Sequence, residues 1–446
     1  MTQCISRLQL GMLRAKEIVA DFDGGLIGSN GGLMLLQKID QQLSLTKSLA
    51  AAIVDRRDPG RIKHPLEEML GQRIYQITCG YEDCNDADQL RSDPIFKTAL
   101  NLLPQADHEL SSQPTLCRLE NSITAKDLRR MAEVFVDLFI TSHSGSNPQE
   151  IILDFDATED PTHGDQQLSF FNGCYDHYCY LPLMVTAQVD GGSQQLLTTL
   201  LRSGKAHASY NALDILKRLV ARLRQAWPDV RIIFRADSGF AIPAIYDWCE
   251  AHGVEYLIGL ITNARLLRMA QPHLQAAQSQ YQQTQGKVRN LHECQYAAGS
   301  WPYQRRVLIN TEINDQGQNR RFVVTNIRDG DAEELYHNYI QRGDAENRIK
   351  ELKNDLCIDR TSCHRFLANQ FRLFLHAAAF VLFNSLRRLL AGTQWATAQV
   401  ATLQRDLIKL GVRVKQTARK VWLHFASACP VADLWPRILS RLKQLA

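Results

Sequence analysis

The sequence predicts a mixed α/β fold, a mixed sheet flanked by helices, with helical N- and C-terminal regions. Three observations carry this expectation. Residues 1–145 place apolar side chains at helical spacing behind Ser, Asn and Thr caps. After the linker-like SGSNPQ at 144–149, short apolar runs alternate with amphipathic stretches. The composition, 45% apolar and 22% charged over 446 residues, is that of a globular chain. At about 150 residues per domain, such a length allows roughly three domains.

In order along the chain, GGLMLLQKIDQQL follows the capping pair Ser29-Asn30 and reads as a helix. HPLEEMLGQRIYQITCGY is a second, with Leu66, Met69, Ile74 and Ile77 among its apolar positions, and AKDLRRMAEVFVDLFITSH a third. IILDFDA, YLPLMVTAQ and QQLLTTLLRSG then read as three antiparallel strands, NALDILKRLVARLRQAW as a helix, VRIIFRADSG as a strand, IPAIYDWCEAHG as a helix and VEYLIGLI as a strand. This β-β-β-α-β-α-β order implies one sheet with helices packed on it. Residues 265–328 break the alternation: a Gln-rich polar stretch precedes RRVLINTEI and RRFVVTNI, which read as an inserted hairpin. One long helix is expected from near Ala332 towards Leu356, and then a basic helical region. The expected segments are therefore 1–145, 146–264, 265–328, 329–390 and 391–446.

Several classes are set aside at this point. No uninterrupted run of about 18 apolar residues exists; the best candidate, 373–386, contains His376, Asn384 and Ser385 and reads as a buried helix. The first residues lack the apolar core and cleavage site of a signal peptide. Eleven cysteines without a repeated spacing suit a reducing, cytoplasmic setting with free thiols. The net charge is only +4, but residues 361–446 hold thirteen Lys and Arg against Asp406 and Asp433, a local charge of +11. Such a segment can neutralise phosphates or simply be a solvated surface.

Three carboxylates stand out. Alternation along IILDFDA puts Asp154 and Asp156 on one strand face, with Asp156 at the strand end. Asp237 closes VRIIFRAD just before Ser238-Gly239, although Asp is also an ordinary turn residue there. On the expected helix through YIQRGDAENRIKELKNDL, Tyr339, Arg342, Glu346 and Lys353 share an arc of roughly 60° beside the apolar stripe of Ala345, Ile349, Leu352 and Leu356. A salt-bridge ladder explains Arg342, Glu346 and Lys350, but gives no reason for Tyr339 or Lys353. Three carboxylates converging from two strand ends and a helix would select Mg²⁺ or Mn²⁺. Arg342, Lys350 and Lys353 beside them would hold a DNA backbone.

At these residues the sequence resembles the DDE transposases of bacterial insertion sequences. The resemblance rests on Asp156-Ala157-Thr158, the turn Arg235-Ala236-Asp237-Ser238-Gly239 and the spacing Tyr-x2-Arg-x3-Glu-x6-Lys from Tyr339 to Lys353. The strings DATEDPTHG, FNGCYDHYCYLPL, LRSGKAHAS, CGYEDCNDADQL and HFASACPVADLW are similar to the insertion-sequence 1380 group, also labelled DDE group 1. The resemblance implies a ribonuclease-H-like core whose last strand and Glu-bearing helix are separated by a β-rich insertion. It implies Asp156, Asp237 and Glu346 as the metal-binding triad, with Asp154 outside it, and Tyr339, Arg342 and Lys353 as DNA contacts. It offers Trp301, in AAGSWPYQRR, as a residue stacking on a flipped base. The partners it implies are double-stranded DNA, as element ends and as target, and a second copy of the chain in the DNA complex. The place is the cytoplasm, associated with the nucleoid.

In the basic tail Arg413, Lys415, Arg419 and Lys420 are the expected phosphate contacts. His163, Cys174, His177 and Cys179 follow no usual zinc spacing. Gly24-Gly25 and Gly31-Gly32 lack the Lys-Ser/Thr of a phosphate loop, so no nucleotide cofactor is expected. Two other functions stay open beside end cleavage and joining: a catalytically idle DNA-binding descendant, and a nuclease of the same core that does not join.

Overall fold

The computed structural model describes residues 7–105 and 108–445. They form two compact units, one of Met1–Ser122 with Ala378–Ala446, the other Ile123–Ala377.

Unit Ile123–Ala377 is built on an eight-stranded sheet. Its strands are β1 (Glu150–Ala157), β2 (Leu183–Val189), β3 (Gln195–Leu200), β4 (Arg231–Ala236), β5 (Glu255–Leu260), β6 (Val288–Tyr296), β7 (Arg305–Asn314) and β8 (Gly317–Thr325). Their order is β6-β7-β8-β5-β4-β1-β2-β3. Only β1, β4 and β5 run parallel to one another; the other pairings are antiparallel. Period-two alternation decides what each face carries. Ile151, Leu153, Phe155, Ile232, Phe234 and Ala236 are buried in one core cluster with Leu216, Leu219, Val220 and Leu223 of helix Ala212–Ala226. Phe155 meets Phe234 and Phe240 edge-on there, with ring centroids 5.0 and 6.4 Å apart. On the other face Ile152, Ile233, Leu257, Leu308 and Val323 pack with Leu335 and Tyr336 of helix Ala332–Ile340. Asp154 and Asp156 alternate onto this second face.

Helix Ala125–Ser142, entered through a Thr124–Asp127 capping box, puts Val136 and Phe139 into the first cluster, in the unit that begins at Ile123. Several elements differ from expectation. The Gln-rich stretch is not irregular: Ala264–Thr284 is a helix whose buried positions Leu266, Ala270, Leu274 and Ala277 form a stripe, capped by Asn263. The following segment supplies three strands, not a hairpin, and they extend the main sheet beyond β5. The long helix breaks at Gln341 into Ala332–Ile340 and Arg342–Asn354.

The other unit packs helices Leu33–Leu43, Leu45–Ala51, Leu66–Thr78 and Pro94–Ala99, whose apolar positions are buried. It is not wholly helical. Leu8–Leu13 and Lys16–Ala20 form a hairpin, and Leu26–Gly28, Val412–Gln416 and Val421–Phe425 form a three-stranded sheet. Gly31-Gly32 serves close packing: a Cβ on Gly32 would lie 1.7 Å from the carbonyl oxygen of Leu407.

Helix Phe366–Leu389 is long and apolar enough to cross a membrane by length and composition, but its most apolar stretch is mostly buried inside the protein. A core helix has that composition too.

Candidate active site

The register of β1 and β4 sets the first two carboxylates side by side. Arg235 pairs with Asp154 and Ala236 with Phe155, so Asp237 follows one step on, level with Asp156. Asp237 leaves the strand at a tight turn and accepts a 2.8 Å hydrogen bond from the Gly239 amide. Helix Arg342–Asn354 brings up the third. Arg342 donates to Asp156 Oδ2 at 3.2 Å and also to the Glu346 carboxylate one turn on. Burial pushes Asp156 up to about 7; Arg342 opposes that shift, while Asp237, Glu346 and Asp154 add to it. Asp237 and Glu346 therefore both lie within electrostatic reach of Asp156, and all three carboxylates act on one guanidinium. Burial lowers Arg342, but Asp156 and Glu346 outweigh it and hold the guanidinium above its ordinary value.

Tyr339 lies in the last turn of the preceding helix, Ala332–Ile340. Its hydroxyl lies over Gly259 of β5, where an added Cβ would stand 2.7 Å from Oη and 3.1 Å from the Ser238 amide nitrogen. Burial raises its pKa, against Arg342, with Asp237 adding. Lys353 donates to the Glu159 carbonyl at 3.0 Å, just beyond the end of β1. Lys350 is exposed on the same helix. The break at Gln341 leaves this polar edge on two consecutive helices.

Among the described residues, no set of three or more His, Cys, Asp or Glu side chains is closed around a potential ion. Arg342 stands between Asp156 and Glu346 instead. The donor set, three carboxylates with Asp156 driven towards neutrality by its surroundings, fits a hard divalent cation once Arg342 turns aside.

Asp154 is engaged elsewhere. Arg235 clamps it in a bidentate pair, Nε–Oδ1 2.6 Å and Nη2–Oδ2 2.7 Å, and Gln194 donates to Oδ2 at 2.7 Å. Both partners are essentially inaccessible to solvent, at 0 and 1%. Arg235 also donates to the Asn338 Oδ1 at 3.0 Å, tying the sheet to helix Ala332–Ile340. Sequence reasoning missed this arginine, although a charged residue inside VRIIFRAD required a partner. Arg235→Met should destabilise the protein by about 3–5 kcal/mol by stranding a buried carboxylate. Adding Asp154→Leu should restore much of that loss, as read by urea unfolding.

Asp160 is a second buried acid near the site. It accepts from Thr361 Oγ1 at 3.0 Å, and burial raises it well above the carboxylate value of 3.8, with Thr361 and Lys353 opposing and Asp359 adding. The folded state thus binds a proton that the unfolded chain releases. Stability should fall as pH rises from about 4 through the raised pKa of Asp160. Asp160→Asn should remove that part of the slope in a series of melts across pH.

Trp301, expected to stack on a base, packs edge-on against Tyr246 and Tyr296 at 5.3 and 5.5 Å, and Arg305 lies 5.2 Å over its ring. One expectation needs correction. The tail cations are not helical. Arg413 and Lys415 alternate with buried Val412 and Val414 on one strand, and Arg419 and Lys420 follow at the hairpin turn, all four exposed. His163, Cys174, His177 and Cys179 do not form a metal cluster; His177 pairs with Glu159 at 3.2 Å and Cys179 is buried.

The model of the family described as Transposase DDE domain group 1 matches residues 10–446. No curated protein matches the chain. The match runs through both strand-end aspartates, the helix of Glu346 and the basic tail, and the chain is a member of the DDE-domain group 1 transposases.

Proposed function

We propose that this transposase cuts the ends of its insertion sequence and joins their 3′ hydroxyls to target DNA at the site of Asp156, Asp237 and Glu346. The convergence of these carboxylates around Arg342 carries the reading. It agrees with membership of the 1380 group, the Tyr-Arg-Glu-Lys signature and a ribonuclease-H-like core, for which the strand order β3-β2-β1-β4-β5 is the supporting feature. The three carboxylates would hold Mg²⁺, or Mn²⁺ in its place. Bound there, a pair of such ions supplies activation of the attacking oxygen and stabilisation of the leaving one.

The chain's own residues do the rest. Arg342 neutralises Asp156 and Glu346 in the DNA-free protein and turns to a backbone phosphate when DNA arrives. Lys350 and Lys353 take neighbouring phosphates, and Tyr339 props Arg342 against the Asp237 turn. Arg413, Lys415, Arg419 and Lys420 add phosphate contacts without reading sequence. Partners are double-stranded DNA and a second copy of the chain in the DNA complex, acting at the nucleoid in the cytoplasm.

The test is incubation of an element-end duplex with supercoiled plasmid and Mg²⁺. The expected product is plasmid covalently linked to the end through its 3′ oxygen. Nicked plasmid with no linked end would leave only a nuclease, and end binding without any break would leave an idle DNA-binding protein.

A further inference from the structure

The three-stranded sheet of Leu26–Gly28, Val412–Gln416 and Val421–Phe425 has two unlike faces. Val412 and Val414 are buried on the inner one, with Leu423 and Phe425 half-buried beside them. Gly31 closes on that side: an added Cβ would stand 2.5 Å from a Phe425 ring carbon and 2.9 Å from Val412 Cγ1. Phe425 also meets Trp435, with ring centroids 4.8 Å apart. Alternation sends Arg413, Lys415, Trp422 and His424 to the opposite face, all exposed. There the register makes Trp422 the direct neighbour of Lys415, and His424 and Ile27 the neighbours of Arg413. Cations and rings therefore share one face, and the three strands carry no carboxylate side chain.

Trp422 is 47% exposed although the sheet beneath it is anchored. Its ring and the His424 imidazole lie parallel within 6°, with centroids 6.0 Å apart. Lys420 Nζ sits 5.1 Å over the indole, from a turn closed by the Thr417 amide donating to the Lys420 carbonyl at 2.8 Å. Phosphate contacts would ask only for the cations. Parallel rings set directly beside cations suit a nucleic-acid strand with uncovered bases, since each base offers a π-face and each nucleotide a phosphate. In a duplex those π-faces are already covered by neighbouring base pairs. A face that is positive only, in a member of a transposase family, points to DNA as the occupant.

We infer that Trp422 and His424 form a stacking site for unpaired bases of DNA, with Arg413 and Lys415 on the phosphates of the same strand. Lys420 holds the indole in the free protein and yields its place over the ring to a base. The inference rests on the proposed action on DNA, but it concerns binding alone and is tested without divalent metal. The probes are a blunt duplex and the same duplex with an oligo(dT) tail containing 5-iododeoxyuridine, each titrated with the full-length protein in chelator. The wild type should bind the tailed duplex more tightly by about five- to hundredfold, the factor that one stacked base supplies. Irradiation should crosslink the tail within residues 421–425, as mapped by mass spectrometry. Trp422→Leu, which keeps an apolar side chain but no π-face, should abolish the preference and leave blunt-duplex affinity unchanged. Trp422→Tyr should restore it, which a merely structural role for the indole would not predict. Equal wild-type affinity for the two duplexes, a preference that survives Trp422→Leu, or a crosslink confined to residues outside 421–425 would overturn the inference. The crosslink is read in the wild type and so does not depend on any variant folding. Failure of end joining with the tail preference intact would count against the proposed reaction alone, and loss of the preference with joining intact against this site alone.

Discussion

Asp156→Ala, Asp237→Ala and Glu346→Ala are each expected to reduce Mg²⁺-dependent end cleavage by at least about a hundredfold, the scale of losing one preorganised electrostatic contact, while leaving end affinity nearly unchanged. The asymmetry follows from where the groups sit. Asp156 and Asp237 close two adjacent parallel strands, and helix Arg342–Asn354 carries Glu346, so in the proposed reaction each would supply charge to the surroundings of the reacting phosphate. Binding rests on many phosphate contacts spread over the surface. Parallel gel-shift and cleavage time courses check this. A variant that cleaves at the wild-type rate would take its residue out of the site.

Neutralising Arg413, Lys415, Arg419 and Lys420 together is expected to weaken binding to all duplexes alike. The log–log dependence of affinity on salt should flatten by up to about 0.9 per lost contact. The hairpin presents these cations to solvent. Val412 and Val414 are buried while Arg413 and Lys415 face solvent; across the ladder Lys415 pairs with Trp422 and Arg413 with His424. Lys420 lies 5.1 Å over the Trp422 ring. Preference for element ends over random duplex should survive, because we propose that the N-terminal region, residues 1–145, reads the end sequence through a rigid helix entering a groove. Truncation at residue 140 is a poor probe of that division, since Met1–Ser122 and the tail belong to one compact unit. Substitutions on exposed helix faces within the full-length chain are the usable form of the experiment. Loss of end preference with an unchanged salt slope on neutralising the tail would reverse the assignment.

What the sequence disclosed and what it concealed have physical reasons. Strands with one buried face announce themselves by alternation, so IILDFDA and VRIIFRAD were legible, and so was the emergence of Asp156 and Asp237 at strand ends. The helix Ala264–Thr284 was hidden because glutamines fill its exposed face, although Leu266, Ala270, Leu274 and Ala277 carry the helical spacing. The tail hairpin was hidden by its charge: VRVKQ and VWLHF alternate as strands do, but a dense basic composition suggested a solvated helix. The break at Gln341 left no periodic signal, since the polar stripe continues across it from Tyr339 to Lys353. Trp301 is ambiguous in the sequence because an indole ring in a turn serves packing as readily as stacking, and its contacts with Tyr246, Tyr296 and Arg305 arise only from the fold.

The central claim is the proposal that Asp156, Asp237 and Glu346 together hold the divalent ions of the reaction. Electron paramagnetic resonance of Mn²⁺ added to the protein–DNA complex tests it most directly, by counting bound ions without relying on turnover. Wild type should remove Mn²⁺ from the free signal at stoichiometric concentrations. Asp156→Asn, Asp237→Asn and Glu346→Gln, which remove charge and keep shape, should each release it. Mn²⁺ bound equally well by the variant carrying all three substitutions would contradict the account.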